Sequence, residues 1–217
     1  MTKVFNSLDN QHNAILNIST MPRNMIFSVL HFLDKVGFSY DIKYYSPYKH
    51  GKDLTRNPSK PQLILQHGGI IYPEKKTILV IILGHDIKRV HQLNNFFEPF
   101  KIFIGLGSKH HTALPEDYDT TFEDINNKEI FKINSFSHED VLNKLNSEVL
   151  PLLEEYNILL CSLGPKIEAI AIYKFHKMHP ETALVYAPSK DYADDYSEGI
   201  NLDNIKSISS SWIGINN

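Results

Sequence analysis

Aliphatic residues in this chain fall in short runs, and three stretches repeat one order: an apolar β-rich run, a turn, an amphipathic helix, a second β-rich run. In the first, Ala14-Ile15-Leu16-Asn17-Ile18 reads as a strand and Ser19-Thr20-Met21-Pro22-Arg23 as a turn. Ile26, Phe27, Leu30 and Leu33 then recur at helical spacing, which predicts a helix over 24–36 stopped by Lys35 and Gly37. A return strand over 41–45 ends at Ser46-Pro47. The second stretch opens on Ile78 to Leu83, an unbroken aliphatic run that predicts a central strand covered on both faces. Gly84-His85-Asp86 turns it into a helix over 87–97, and a strand follows over 101–104. In the third, a strand over 157–161 passes through Ser162-Leu163-Gly164-Pro165-Lys166 into a helix over 167–178. Ile170, Ala171, Lys174 and Met178 share one side of that helix, and a strand over 182–186 stops at Ala187-Pro188.

The intervening segments are less regular. Pro58, Pro61, Pro73, Gly51, Gly68 and Gly69 make 48–76 loop-rich, with one short strand at 63–65. Residues 108–135 are polar and acidic and read as a second surface insertion. Ser137 reads as a helix cap, because Asp140 stands three residues on and Val141, Leu142, Leu145 and Val149 follow on one face. Strands alternating with helices of this length predict βαβ units and a mainly parallel sheet. The expectation is one α/β domain over 1–217, Rossmann-like, with helices on both sheet faces and the helix-opening turns along one edge.

The first and third stretches also echo each other residue by residue. Ile15-Leu16 and Ile158-Leu159, Ser19 and Ser162, Pro22 and Pro165, Arg23 and Lys166 all stand 143 positions apart. After the helices Tyr45 and Tyr186, Pro47 and Pro188, Asp53 and Asp194 stand 141 apart. Shared βαβ punctuation and a loose internal repeat both account for this.

Composition narrows the function classes. The net charge is −3, from 22 basic and 25 acidic residues, which excludes a broadly basic surface for coating nucleic acid. Cys161 is the single cysteine, so neither an internal disulfide nor a cysteine-rich zinc module is available. No apolar run reaches the ~20 residues of a membrane span, and the first ten residues lack the apolar stretch of a secretory signal. The chain is therefore expected in the cytoplasm, with no membrane or disulfide partner.

Candidate chemistry gathers at the turns. A helix N-terminus exposes unpaired N–H groups and about half a positive charge, so it attracts anions. Here cations stand at the same helix starts: Arg23, Lys88 or Arg89, and Lys166. That placement costs roughly 0.3–1 kcal/mol of helix stability, and its recurrence points to a phosphate-bearing ligand. Ser19, Ser162 and Gly164 belong to the same turns, as helix caps, phosphate contacts or points of close backbone approach. Tyr186 and Tyr192 are candidates for stacking on a base, and Asp191, Asp194 and Glu198 for acid–base work if the protein is an enzyme. Neither Gly-x-Gly-x-x-Gly nor Gly-x-x-x-x-Gly-Lys-Ser/Thr is present, which argues against dinucleotide binding and P-loop hydrolysis. Eleven histidines lack metal-ligand spacing, so no metal or other cofactor is expected. Cys161, in an apolar strand, reads as an inert core thiol.

Ser162-Leu163-Gly164-Pro165-Lys166, running directly into Ile167-Glu168-Ala169-Ile170-Ala171, resembles the CARF family, the Rossmann-like sensor domains of CRISPR-associated proteins. There a Gly-Gly-Thr-Lys-type turn after a late strand opens a helix and touches a cyclic oligoadenylate at a homodimer cleft. The resemblance covers 157–188, with Ser19 to Arg23 as the earlier ligand loop; Pro165 replaces the threonine and the second glycine is absent. It implies antiviral defence in a prokaryote, Gly164 and Lys166 on phosphate or base, a homodimer, and a separate effector protein. Three functions stay open on the sequence: a sensor or regulatory subunit for a nucleotide or other phosphorylated small molecule, a phosphodiesterase or nucleoside-processing hydrolase in the same cleft, and an interaction subunit with no small ligand.

Overall fold

The computed structural model of the chain describes residues 14–50, 55–84, 86–107, 122–192 and 197–214. The first unit is β1 (Ala14–Asn17), α1 (Arg23–Val36) and β2 (Tyr40–Tyr45), with β1 and β2 parallel from Ala14 opposite Tyr40 to Asn17 opposite Lys43. Gly37, at φ 67°, ends α1; its N–H reaches the Asp34 and Leu33 carbonyls, and Phe38 N–H also reaches Leu33. Only a residue tolerant of the left-handed region closes a helix this way.

Short strands follow: β3 (Lys49–His50), β4 (Thr55–Pro58) and β5 (Gln62–Leu63). The central part runs β6 (Lys76–Leu83), α2 (Ile87–Phe97), β7 (Lys101–Gly107), β8 (Lys128–Ile133) and α3 (His138–Lys144). The third unit is β9 (Tyr156–Ser162), α4 (Lys166–Met178) and β10 (Ala183–Tyr186). Then come β11 (Ser189–Tyr192), β12 (Ser197–Glu198), β13 (Ile205–Ser209) and the single turn α5 (Ser210–Ile213).

The main sheet has six strands in the order β5-β10-β9-β6-β7-β8, all parallel except the edge strand β5. Its two faces read directly from β6. Ile78, Val80 and Ile82 pack with α4 and the segment after β8, while Leu79, Ile81 and Leu83 pack with Val90 and Leu93 of α2. The aliphatic run that predicted a doubly covered strand is that strand. Helices cover both faces, and the fold is mixed α/β. No helix among the described residues is long and apolar enough to cross a membrane, and the one cysteine, Cys161, is buried and free.

Three expectations are corrected. First, the β1-α1-β2 unit does not extend the main sheet; it forms a separate three-stranded sheet, β1-β2-β13, with β13 antiparallel to β2. Both β1 and β2 alternate in burial, so each has only one face to bury, unlike β6. Second, the supposed insertion at 108–135 contains β8, and Phe122 and Ile125 before it are buried. In Lys-Glu-Ile-Phe-Lys-Ile, Phe131 and Ile133 point to the core on either side of the exposed Lys132, an alternation masked by the charges. Residues 108–121 lie outside the described residues. Third, the strand expected over 101–104 runs on through Gly105-Leu106-Gly107 as the end of β7. A Cβ on Gly105 would stand 2.7 Å from Ile82 Cδ1 and 2.9 Å from the Phe131 ring, so glycine there makes room for Phe131. Ser137 is the cap the sequence indicates: its hydroxyl accepts from Asp140 N–H at 3.1 Å.

Candidate functional site

α1 and α4 start alike. Their N-caps, Pro22 and Pro165, have φ/ψ of −60°/147° and −53°/147°, and neither helix end has a side-chain cap. A proline supplies the preset φ but no hydroxyl or carboxylate, so the first-turn N–H groups lack a side-chain acceptor; in α4 the Glu168 N–H takes the Pro165 carbonyl at 3.0 Å. The first helical residues are the cations Arg23 and Lys166, and each reaches into the other unit's turn. Arg23 Nη2 donates to the carbonyls of Leu163, at 3.1 Å, and Gly164. Lys166 Nζ donates to the carbonyl of Ser19. Residues 143 apart in sequence thus make a reciprocal exchange across the α1–α4 contact.

Between the two turns opens a cleft of about 380 Å³, lined by Ser19 to Arg23, Lys166, Tyr186 and Ser197. The sequence-derived candidates Ser19, Arg23, Lys166 and Tyr186 therefore share one wall-to-wall space. Burial, and secondarily the Arg23 charge, brings the Lys166 ammonium down to about 8. The Ser19 hydroxyl is engaged in holding the turn: it accepts from Tyr45 N–H at 2.8 Å and donates to Asn17 Oδ1 at 2.6 Å. It ties the end of β1 to the end of β2.

Ser162 and Gly164 lie beneath the cleft and do not line it. Both are buried, and the close approach that Gly164 permits is to Glu168: a Cβ there would sit 2.5 Å from the Glu168 Cδ. Glu168 is fully buried, and burial raises its carboxyl to about 8, against the lowering influence of Ser135, Arg23 and the Gly164 N–H. None of these completes a well-formed hydrogen bond, and both carboxyl oxygens lack a partner, as do Arg23 Nε and the Ser135 and Ser162 hydroxyls. A concentration of unpaired buried polar atoms directly under a cleft is unusual in a folded interior. Nearby Cys161 is inert, its thiol pushed by burial up to about 12.

The other candidates stand elsewhere. Arg89 is buried and occupied, paired with Asp86 at 3.0 Å and donating to the carbonyls of Ala187 and Pro188, where it pins the corner after β10. Lys88 is exposed on α2. Asp191 is exposed and accepts from Asn57 Nδ2 at 2.6 Å, and Glu198 is exposed on β12; neither lines the cleft. Asp194 lies outside the described residues, and for Tyr192 the structure describes only the backbone in β11.

Two buried features escape a reading by motif. Glu168 is the single charge within Ile167 to Ile172, and a lone carboxylate in an apolar helix stretch is the signal that marks it. The other is a histidine pair. His176, near the end of α4, looks from the sequence like a cationic residue favoured by the helix dipole, and His67 like an unpartnered loop residue. Both are buried, with His67 Nδ1 2.9 Å from His176 Nε2, and burial together with His67 takes His176 down to about 4. The rings meet because 64–70 is stitched to β10, through Ile64 N–H to Leu184 O and Leu184 N–H to His67 O. Among the described residues, no group of three or more His, Cys, Asp or Glu is arranged to hold a metal ion. No protein-family model and no curated protein matches this chain.

Proposed function

We propose that this protein is a Rossmann-like sensor or regulatory subunit that binds a nucleotide or another phosphorylated small molecule in the cleft between the α1 and α4 starts. The observation that carries the reading is the meeting there of Arg23 and Lys166, from two βαβ units, over first turns without side-chain caps. Each cation rests on carbonyl oxygens of the opposite turn, and phosphate oxygens would take the place of those carbonyls. Tyr186 offers a ring at the cleft wall for a base. Numbered along the chain, the five parallel strands run 3-2-1-4-5 across the sheet, the order of a doubly wound nucleotide-binding fold. The reciprocal contacts of Arg23 and Lys166 favour the loose internal repeat. Its two units would face each other within one chain, where the CARF resemblance has two copies of a domain. Of the candidate carboxylates, Asp191 and Glu198 stay outside the cleft lining.

Thermal-shift screening against mono-, di- and cyclic nucleotides and inorganic pyrophosphate tests this, with mass spectrometry for turnover. A ligand at 100 times its Kd adds about 2.7 kcal/mol of stability. Lys166→Glu is expected to abolish the shift while leaving the unliganded melting temperature within a few degrees. The same affinity surviving Lys166→Glu would remove the cleft as the site. A pH series gives a second prediction. Lys166 loses its proton above about 8, so affinity should fall roughly tenfold per pH unit above that point. Lys166→Arg, charged throughout, should flatten the profile when followed by titration calorimetry between about pH 6.5 and 9.5.

A further inference from the structure

Lys166 stands in a setting that favours an amine over an ammonium. It opens α4, at the positive end of that helix, and Arg23 opens α1 across the cleft in the same way. The Arg23 guanidinium rests on the Leu163 and Gly164 carbonyls, just before Lys166 in the chain. Among the described residues neither cation pairs with a carboxylate. Glu168, two residues on, is fully buried and keeps its proton up to about pH 8, so it supplies little counter-charge. A helix end and a guanidinium therefore act together against a proton on this one nitrogen.

Desolvation and a neighbouring cation are the two means by which proteins make a lysine nucleophilic near neutral pH. With Lys166 at about 8, about a quarter of it is neutral at pH 7.5, against about a thousandth of a lysine at 10.5. The neutral amine has two N–H bonds and a lone pair. One N–H serves the Ser19 carbonyl, which leaves the lone pair for an electrophile. The side chain is only partly buried and lines a cleft whose walls include Met21, Pro22 and Tyr186. A volume of about 380 Å³ suits a small metabolite. Lys174 is the contrast within the same helix. Burial lowers it too, but its ammonium lies 4.1 Å from the centre of the Trp212 ring and donates to the Trp212 carbonyl.

We infer that Lys166 captures the aldehyde or ketone group of a small phosphorylated molecule as an imine, with Arg23 holding the phosphate. The Nζ lone pair attacks the carbonyl carbon, so the C–N bond forms while the π pair of the C=O bond moves to oxygen. A proton passes from nitrogen to that oxygen through solvent, giving a carbinolamine. The hydroxyl then leaves as water, the second amine proton is released with it, and the C=N bond forms. Nothing is oxidised or reduced. Arg23 suits the phosphate because it stays charged at a pH where Lys166 does not. The inference rests on the phosphate reading of this cleft and narrows the ligand to one that also bears a carbonyl.

Borohydride trapping on the full chain tests it, with D-glyceraldehyde 3-phosphate as the probe. D-glyceraldehyde supplies the carbonyl without the phosphate, and glycerol 3-phosphate the phosphate without the carbonyl. The expected result is a reduced adduct, located by peptide mass spectrometry, that forms on Lys166 roughly tenfold faster at pH 7.5 than on Lys174 or any exposed lysine. Its rate should rise with pH and level off above about 8. Glyceraldehyde should label Lys166 roughly tenfold more slowly, and glycerol 3-phosphate should slow the trapping by competition. Lys166→Arg should lose the fast adduct, and Arg23→Gln the preference for the phosphorylated probe. Adducts spread evenly over the exposed lysines overturn the inference, and so does fast labelling of Lys166 that is equal with and without the phosphate. The phosphate reading fails differently, by the absence of any thermal shift from pyrophosphate or nucleotides. If Arg23→Gln does not fold, the three probes on the unaltered chain decide the matter by themselves.

Discussion

Replacing Gly84 with alanine is expected to destabilise the protein by about 3 kcal/mol, a typical cost of forcing an extra group into a packed interior. For a chain of this size that is a fall in melting temperature of roughly 6–12 °C. Gly84 is the first residue after β6, where the turn after β9 crosses beside it, with Leu163 N–H bonded to the Ile82 carbonyl at 2.8 Å. A Cβ at Gly84 would strike the Leu163 carbonyl oxygen and come within 2.7 Å of Gly164 Cα. Every one of those atoms is backbone, so no side chain can rotate away. Relief requires separating β6 from β9, the pair at the centre of the sheet, or shifting the turn on which Arg23 rests. Gly68→Ala is the matched control, since nothing lies within 4 Å of its Cβ position and its φ is ordinary. That variant should be neutral or gain about 0.4–1 kcal/mol through the unfolded chain. Equal melting temperatures for the two variants, by calorimetry, would mean that the β6 and β9 turns do not touch as described.

The second large effect concerns Glu168. Its carboxyl stands at about 8 in the folded protein against an ordinary 4.5. Between those two values the unfolded chain has released the proton and the folded one has not. Stability attributable to this group is therefore whole below about pH 4.5 and declines by about 1.4 kcal/mol per pH unit as the pH rises. The loss levels off above about 8, once the folded form ionises too, at a total of roughly 3–5 kcal/mol. Glu168→Gln removes the titration and keeps the shape. Urea unfolding should find the two proteins within about 1 kcal/mol of each other near pH 5. Near pH 8 the variant should be the more stable by roughly 3 kcal/mol. Other carboxylates are common to both proteins and cancel in the difference. Parallel stability curves from pH 5 to 8 would show that Glu168 is ionised in the folded state, paired with Arg23 by a shift in that side chain.

How much of this was legible beforehand depends on which physical signal each feature leaves. The doubly buried strand β6, the helices α1, α2 and α4, and the Ser137 cap follow from local rules: continuous apolar runs, 3.6-residue periodicity and a hydroxyl three residues before an acidic partner. The cations at the helix starts and the absence of nucleotide-binding glycine motifs are also legible, since each occupies a few consecutive residues. What the sequence by itself determined, then, was the doubly buried β6, the helices α1, α2 and α4 between their flanking strands, and the turns at which Arg23 and Lys166 stand. Tertiary structure alone decided that β1 and β2 form their own sheet with β13, a pairing of strands some 160 residues apart that local periodicity does not encode. It also decided that Arg89 is occupied while Lys166 faces a cleft, that Gly164 makes room for Glu168, and that His67 meets His176 across 109 positions. The physical reason is common to all of these. Periodicity reports which face of an element turns inward, whereas partners, tautomers and shifted protons depend on what the rest of the chain brings against that face.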